Sequence, residues 1–329
     1  MVVSFAACGS SGGSHDGGAK SSASKPAVTK VAPATKVAPA VILDKEMSTV
    51  VKAKKLETKG NYQSSIELTK NALGSVALHA KGKDSIVKNT GLIELKGIGQ
   101  TGMVASEGGK AINKKSGIID ISGEDNTGMY ADKNSEIDNE GKIYLRGYNV
   151  ANSGFDNFGN TGMRIETGAK MLNNGQIIFK NEVRSQLIDQ RGETAVEANK
   201  SQERVNVETI TLEKNAIGAF GMKANGADSI VKNTGLIELK GSVQTGMEAT
   251  NGGTAINNGI IDMQGRSSVG MYADKNSTID NEGTIFLSGK KMQGISITGV
   301  HGIDDRGNNG MKVEKGAKII NHGSITFKN

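Results

Sequence analysis

Tryptophan is absent from this 329-residue chain, cysteine occurs once and proline three times, and aromatic residues make up only 4% of it. Each scarcity excludes something. The single cysteine, Cys8, cannot close an intrachain disulfide, so no cystine framework holds the fold. So few large rings cannot fill a thick globular core. The 36% apolar content is mostly Ile, Val, Ala, Leu and Met, which suits a narrow core of small aliphatic layers. No apolar run is long enough to predict a transmembrane helix. The 45 glycines follow no Gly-X-Y period, which excludes collagen.

The net charge of +6 is unevenly placed. Residues 1–60 carry nine Lys, no Arg and four acidic residues, or +5 of that total. The remainder is nearly neutral and lacks the basic stripe that nucleic-acid binding requires, so no nucleic-acid partner is expected. All three prolines, Pro26, Pro33 and Pro39, lie among Gly, Ser, Ala, Lys, Thr and Val. Residues 9–60 therefore read as a disordered tether, because such a composition buries too little apolar area to offset chain entropy.

Ahead of that tether stands Met-Val-Val-Ser-Phe-Ala-Ala-Cys. This resembles the end of a bacterial lipoprotein signal peptide, with Ala6 and Ala7 before the Cys8 that would receive lipid. The resemblance implies residues 1–8 as a partial signal and Cys8 as the lipid attachment site. It also implies the outer membrane as a partner through the anchor.

Repeats dominate the remainder of the chain. Asp84–Gly97 reads DSIVKNTGLIELKG and Asp228–Gly241 repeats it; MYADKNS occurs at Met129–Ser135 and at Met271–Ser277. Residues 61–182 are thus one copy and 205–329 a second, with the polar stretch 183–204 as a linker or excursion. Within each copy Gly-Met recurs, at Gly102, Gly128, Gly162, Gly221, Gly246, Gly270 and Gly310, with a degenerate Ala77-Leu78. An Asn comes after each, at 89, 113, 139, 173, 233, 257, 281 and 321. Short period-2 runs lie between turn residues, as in Ile285-Phe286-Leu287. The fold class predicted is all-β: a right-handed parallel β-helix of about eight coils in two four-coil units. Three inward columns are expected: Met103 to Met311, Ile93 to Ile325, and Leu95 to Phe327. The Asn column is expected to hydrogen-bond along the rod and to supply left-handed turns. The final strand shows no cap in the sequence, and an uncapped coil offers an unpaired edge.

The Gly-Met-Tyr-Ala segments, with Ile-Asp-Asn-Glu-Gly and Thr-Ile-Phe-Leu-Ser-Gly after them, resemble passenger-domain repeats of Gram-negative autotransporter adhesins. The resemblance covers about 61–329. It implies a surface-exposed, extracellular-facing β-helix that binds a protein or glycan on a host or neighbouring cell. The chain shows no translocator barrel and carries the lipoprotein-like N-terminus instead. Two alternatives stand beside an adhesin-like or structural protein: a β-helical polysaccharide-degrading enzyme, and a truncated passenger fragment without a role of its own.

No catalytic residue is expected. Glu94 with Asp120, and Glu238 with Asp262, would stack outward as carboxylate pairs, but no Arg or Lys is expected to recur beside them as a lyase site requires. His301-Gly-Ile-Asp304-Asp305-Arg306 is the strongest local cluster, yet it lies within one coil. The four His have no metal-ligand spacing, and neither metal nor cofactor is expected. Two insertions, about 148–160 and 290–309, are the candidate binding loops. Tyr148, Phe155 and Phe158 mark the first; His301, Asp304 and Asp305 mark the second.

Overall fold

The alternation of aliphatic and polar residues produces thirty short strands and no helix among the described residues. The computed structural model describes residues 41–53, 58–132, 134–146, 159–179, 194–199, 206–214, 216–293 and 298–328. Each turn of the chain lays down three strands, one on each face of a rod. Thr101–Ser106, Lys110–Asn113 and Ile118–Ile121 make one such rung. The next rung, Thr127–Ala131, Glu136–Asn139 and Lys142–Leu145, pairs with it in parallel on all three faces. The fold is a right-handed parallel β-helix, the hand that twisted strands impose on parallel crossovers. Corner one joins the first face to the second, corner two the second to the third, and corner three leads to the first face of the next rung.

The first face contains eleven strands, ten of them parallel. Two rungs therefore exist beyond the expected eight. One is Thr49–Ala53 with Thr58–Tyr62, entered from Val41–Leu43, inside and just beyond the expected tether. The other is Thr194–Asn199 with Asn206–Leu212, inside and just beyond the expected linker. Both lack Gly-Met, which is why the repeat count missed them. The core needs only a side chain of fitting volume in each inward place: Val51 sits in register with Leu78, and Val196 with Met163 and Met222. The two copies are thus consecutive rungs of one rod, joined through the sixth.

The expected columns are in place. Met103, Met129, Met163, Met222, Met247, Met271 and Met311 are fully buried on the first face. Ile93 to Ile285 and Leu95 to Leu287 line the third face without exposure. The glycine before each Met allows close stacking. A methyl on Gly128 would lie 2.5 Å from the Gly162 carbonyl oxygen, far inside contact distance.

Buried amides bond in columns. Asn89 Nδ2 donates to Asn113 Oδ1 at 2.9 Å, Asn113 to Asn139 at 2.8 Å, and Asn139 to Asn173 at 2.6 Å. There the ladder stops. Asn173 is in backbone register with Val207 of the sixth rung, and its Nδ2 has no acceptor. It resumes from Asn233 through Asn257 and Asn281 to Asn321, at 2.8 Å each. These asparagines do not supply the left-handed turns expected of them. Positive φ falls instead at corner one, as at Asp84, Asn134 and Asn276, and at corner three, as at Gly99, Asp125 and Ser267. A second polar column stands two residues before six of the seven Gly-Met pairs, with Ala219 before the other. Asn126 Oδ1 accepts from the Gln100 N–H at 2.7 Å, Asn160 Oδ1 from Asn126, and Asn308 Oδ1 from Ser268.

Asn113 is fully buried and bonded on both sides. Asn113→Ala removes the Asn113 acceptor from the Asn89 amide, which keeps its bond to the Gly91 carbonyl, and removes the donor to Asn139 Oδ1, so it is expected to destabilise the rod by about 3 kcal/mol in urea unfolding. A loss below about 0.5 kcal/mol would show that the ladder is incidental.

Candidate functional site

The outward row of the third face is as expected: Glu94 is in register with Asp120, Asp120 with Tyr144, Glu238 with Asp262, and Asp262 with Phe286. Its surroundings correct the sequence reading, because basic side chains do recur beside these acids. Lys96 Nζ lies 2.9 Å from Glu67 and 3.6 Å from Glu94. Arg146 grips Asp120 with Nε and a terminal nitrogen. Lys240 bridges Glu213 and Glu238 at 3.3 and 3.4 Å. Lys328 lies 2.6 Å from Asp262 and 4.8 Å from the centre of the Phe286 ring. The sequence distance hid these pairs: Arg146 and Asp120 are a full rung apart along the chain and adjacent across it. The lysines pair with glutamates that raise the pKa of Lys240 and, through the Glu67 hydrogen bond first, of Lys96. The row is therefore a set of neutralised ion pairs.

In the His301–Arg306 cluster both acids accept hydrogen bonds from backbone N–H groups. Asp304 is fully buried, and its carboxylate accepts from the N–H groups of Gly289, Arg306 and Asn308 at 2.9, 3.0 and 2.9 Å. The Asn308 amide donates to it as well, at 2.9 Å. Asp305 accepts from the Lys290 N–H at 2.9 Å. Both acids lie in the turn between Val300–Ile303 and Asn309–Val313 and tie it to the start of the insertion at Gly289 and Lys290. His301 is exposed on Val300–Ile303, which runs antiparallel to Asn309–Val313 and covers the outer edge of the first face. The insertion thus caps one of the three faces at this end, a role the sequence did not reveal. Tyr148, Phe155, Phe158 and Cys8 lie outside the described residues.

On the second face Asp138 and Asp280 occupy equivalent places in the two copies, Asp138 between Ile112 and Leu172, Asp280 between Ile256 and Ile320. Each has a buried carboxylate oxygen with no hydrogen-bond partner. Asp138 is 9% exposed, and burial, then the charge of Glu140, raise its pKa. On the first face His79 Nε2 lies 2.8 Å from Ser106 Oγ, with burial and then Lys52 and Lys81 lowering the His pKa. No group of three or more His, Cys, Asp or Glu among the described residues could hold a metal ion.

A raised pKa in the folded state means that the ionised Asp138 opposes folding. The stability it lends is complete below the unfolded carboxylate pKa and is lost as pH rises through the raised folded value. Asp138→Asn is accordingly expected to raise the thermal midpoint at pH 7. That gain should shrink toward pH 4 in melts across the range; a gain that grows on acidification would refute the assignment.

Compared with known proteins, the chain matches a family model described as the BigA third pectate lyase-like domain, a β-helix-type domain of a bacterial surface protein. The match takes in residues 11–197 and 258–329. No curated protein matches the chain.

Proposed function

This chain belongs to the family of the BigA third pectate lyase-like domain, and on that premise we propose that it is a non-catalytic β-helix rod of the bacterial surface, adhesin-like or structural. One observation carries the reading: the outward carboxylates that stack in adjacent rungs are each engaged by Lys or Arg. A general base must reach the proton it takes, and these oxygens face a neighbouring cation instead. The nearly neutral body supports contact with protein or glycan surfaces over nucleic acid.

In this reading Cys8 carries the lipid and holds the rod to the outer membrane. The lateral insertions, with Tyr148, Phe155 and Phe158 in the first and the exposed His301 in the second, touch a partner on a host or neighbouring cell. Asp304 and Asp305 serve the second loop by holding its base. Uptake of a labelled fatty acid in the native host is expected for the full chain and expected to vanish in Cys8→Ser. Equal labelling of both would remove the anchor from the proposal.

The second reading is a polysaccharide-degrading enzyme, favoured by the stacking of Glu94 on Asp120 and of Glu238 on Asp262. The purified chain, incubated with acidic and neutral polysaccharides, is expected to release no reducing or unsaturated ends. Turnover that disappears in Asp120→Asn or Asp262→Asn would replace the display reading with the enzymatic one.

A further inference from the structure

Both copies carry the same corner-one turn, Asp-Lys-Asn-Ser, at Asp132–Ser135 and at Asp274–Ser277. Asn134 and Asn276 stand at its tip, exposed, with φ +64° and +68°. Asparagine is one of the few residues that tolerate this left-handed backbone, so the turn accounts for its presence in both copies. The serine after it is buried and fastens the turn to the rung before. Ser135 Oγ accepts from the Gly108 N–H at 2.9 Å, and Ser277 Oγ from the Gly252 N–H at 3.0 Å. On the other side the Asn276 N–H donates to the Gly316 carbonyl at 3.3 Å. The turn is therefore fixed between two rungs, and the Asn276 side chain projects from it with no hydrogen bond among the described residues.

The copies differ one residue later. Glu136 follows Ser135 and pairs with Lys110, whereas Thr278 follows Ser277. Thr278 opens the second-face strand Thr278–Asn281, in register with Thr254 and Lys318. Asn276-Ser277-Thr278 is therefore an Asn-x-Thr sequence whose middle residue is not proline, the acceptor pattern for N-linked sugar, which belongs on an exposed turn. Asn134-Ser135-Glu136 lacks the hydroxyl and is not such a pattern. The pattern occurs once more in the chain, at Asn199-Lys200-Ser201. Asn199 is half-buried and its amide donates to Glu166 Oε1 at 3.4 Å, while Ser201 lies outside the described residues. At Asn276 the amide is exposed and unbonded, so an enzyme reaches it without opening the rod.

We propose that Asn276 is a glycosylation site, at which a transferase links a sugar to Nδ2. The donor is a sugar activated as a glycosyl diphosphate. The amide nitrogen attacks the anomeric carbon, and the N–C bond forms as the bond from that carbon to the diphosphate oxygen breaks. The diphosphate leaves with the electron pair, and the amide proton passes to a base of the transferase. A bulky polar group suits this place, because corner one carries none of the large exposed apolar side chains among the described residues. One residue, Thr278 in the place of Glu136, gives the second copy a site that the first copy lacks. The proposal needs the exposed turn, and neither the lipid anchor nor the surface partner of the display reading.

Mass spectrometry of the full chain, purified from its native host, tests the site. A sugar mass is expected on the peptide that contains Asn276 and none on the peptide that contains Asn134. Thr278→Glu writes the first-copy sequence into the second copy and is expected to remove the sugar, whereas Thr278→Ser keeps the hydroxyl and is expected to retain it. Glu136→Thr writes the second-copy sequence into the first and is expected to add sugar at Asn134. Neither turn loses its Asn or its buried Ser in these variants, so each is expected to melt as a folded rod, and the loss and the gain are read on chain that does. A parent whose Asn276 is bare, or a sugar that persists on Asn276 in Thr278→Glu, would overturn the proposal.

Discussion

In a rod built of stacked rungs, nearly every side chain has as its closest neighbour the side chain in the same place one rung away. That constraint governs the inside and the outside differently. Inside, apolar side chains of fitting volume must stack on one another, as Val196 does between Met163 and Met222, because a void or an oversized side chain would disturb the rungs on either side. A buried amide is stable only when the next rung offers its complement, since an unpaired buried polar group is costly. The Asn89–Asn173 and Asn233–Asn321 ladders obey this rule. The sixth rung shows what happens where the rule is interrupted: Asn173 keeps its acceptor bond and loses its donor bond.

Outside, the same stacking brings like charges together, as with Glu94 on Asp120, and cations on neighbouring residues and rungs offset it. Lys110 pairs with Glu136, Lys114 with Glu140, Lys223 with Glu248, and Arg146 with Asp120. Each exposed pair adds little to stability in water. Together they set a cation against each of these outward acids. The carboxylates that looked most like a catalytic arrangement are therefore part of how the rod tolerates its own repeat. Asp304 is occupied by another route, through four donors around the turn of a hairpin.

Departures from the repeat are where the rod acquires individual character. The hairpin at Val300–Ile303 turns an insertion into an edge cover, limiting the unpaired backbone on one face. The exposed apolar residues gather along corner three and its adjoining face, the edge from which that insertion leaves. Corners one and two carry none among the described residues. The faces are constrained by the repeat and the corners much less so, which leaves the corners as the place where contacts can be made.

The fold class, the inward columns, the outward row of the third face and the Asn ladder were all legible in the chain before it was wound. All of these are periodic properties, and a period is visible in one dimension. Winding decided the number of rungs, since Val51 and Val196 fill the core without the Gly-Met signature. It paired Arg146 with Asp120 and Lys328 with Asp262, partners 26 and 66 residues apart. It made Asp304 a structural acid and set Asn276 exposed at the tip of a corner. The physical reason is common to all four. Periodicity records which way a side chain points. What it meets there depends on loop lengths that differ from rung to rung, and those set the register only once the rungs are stacked.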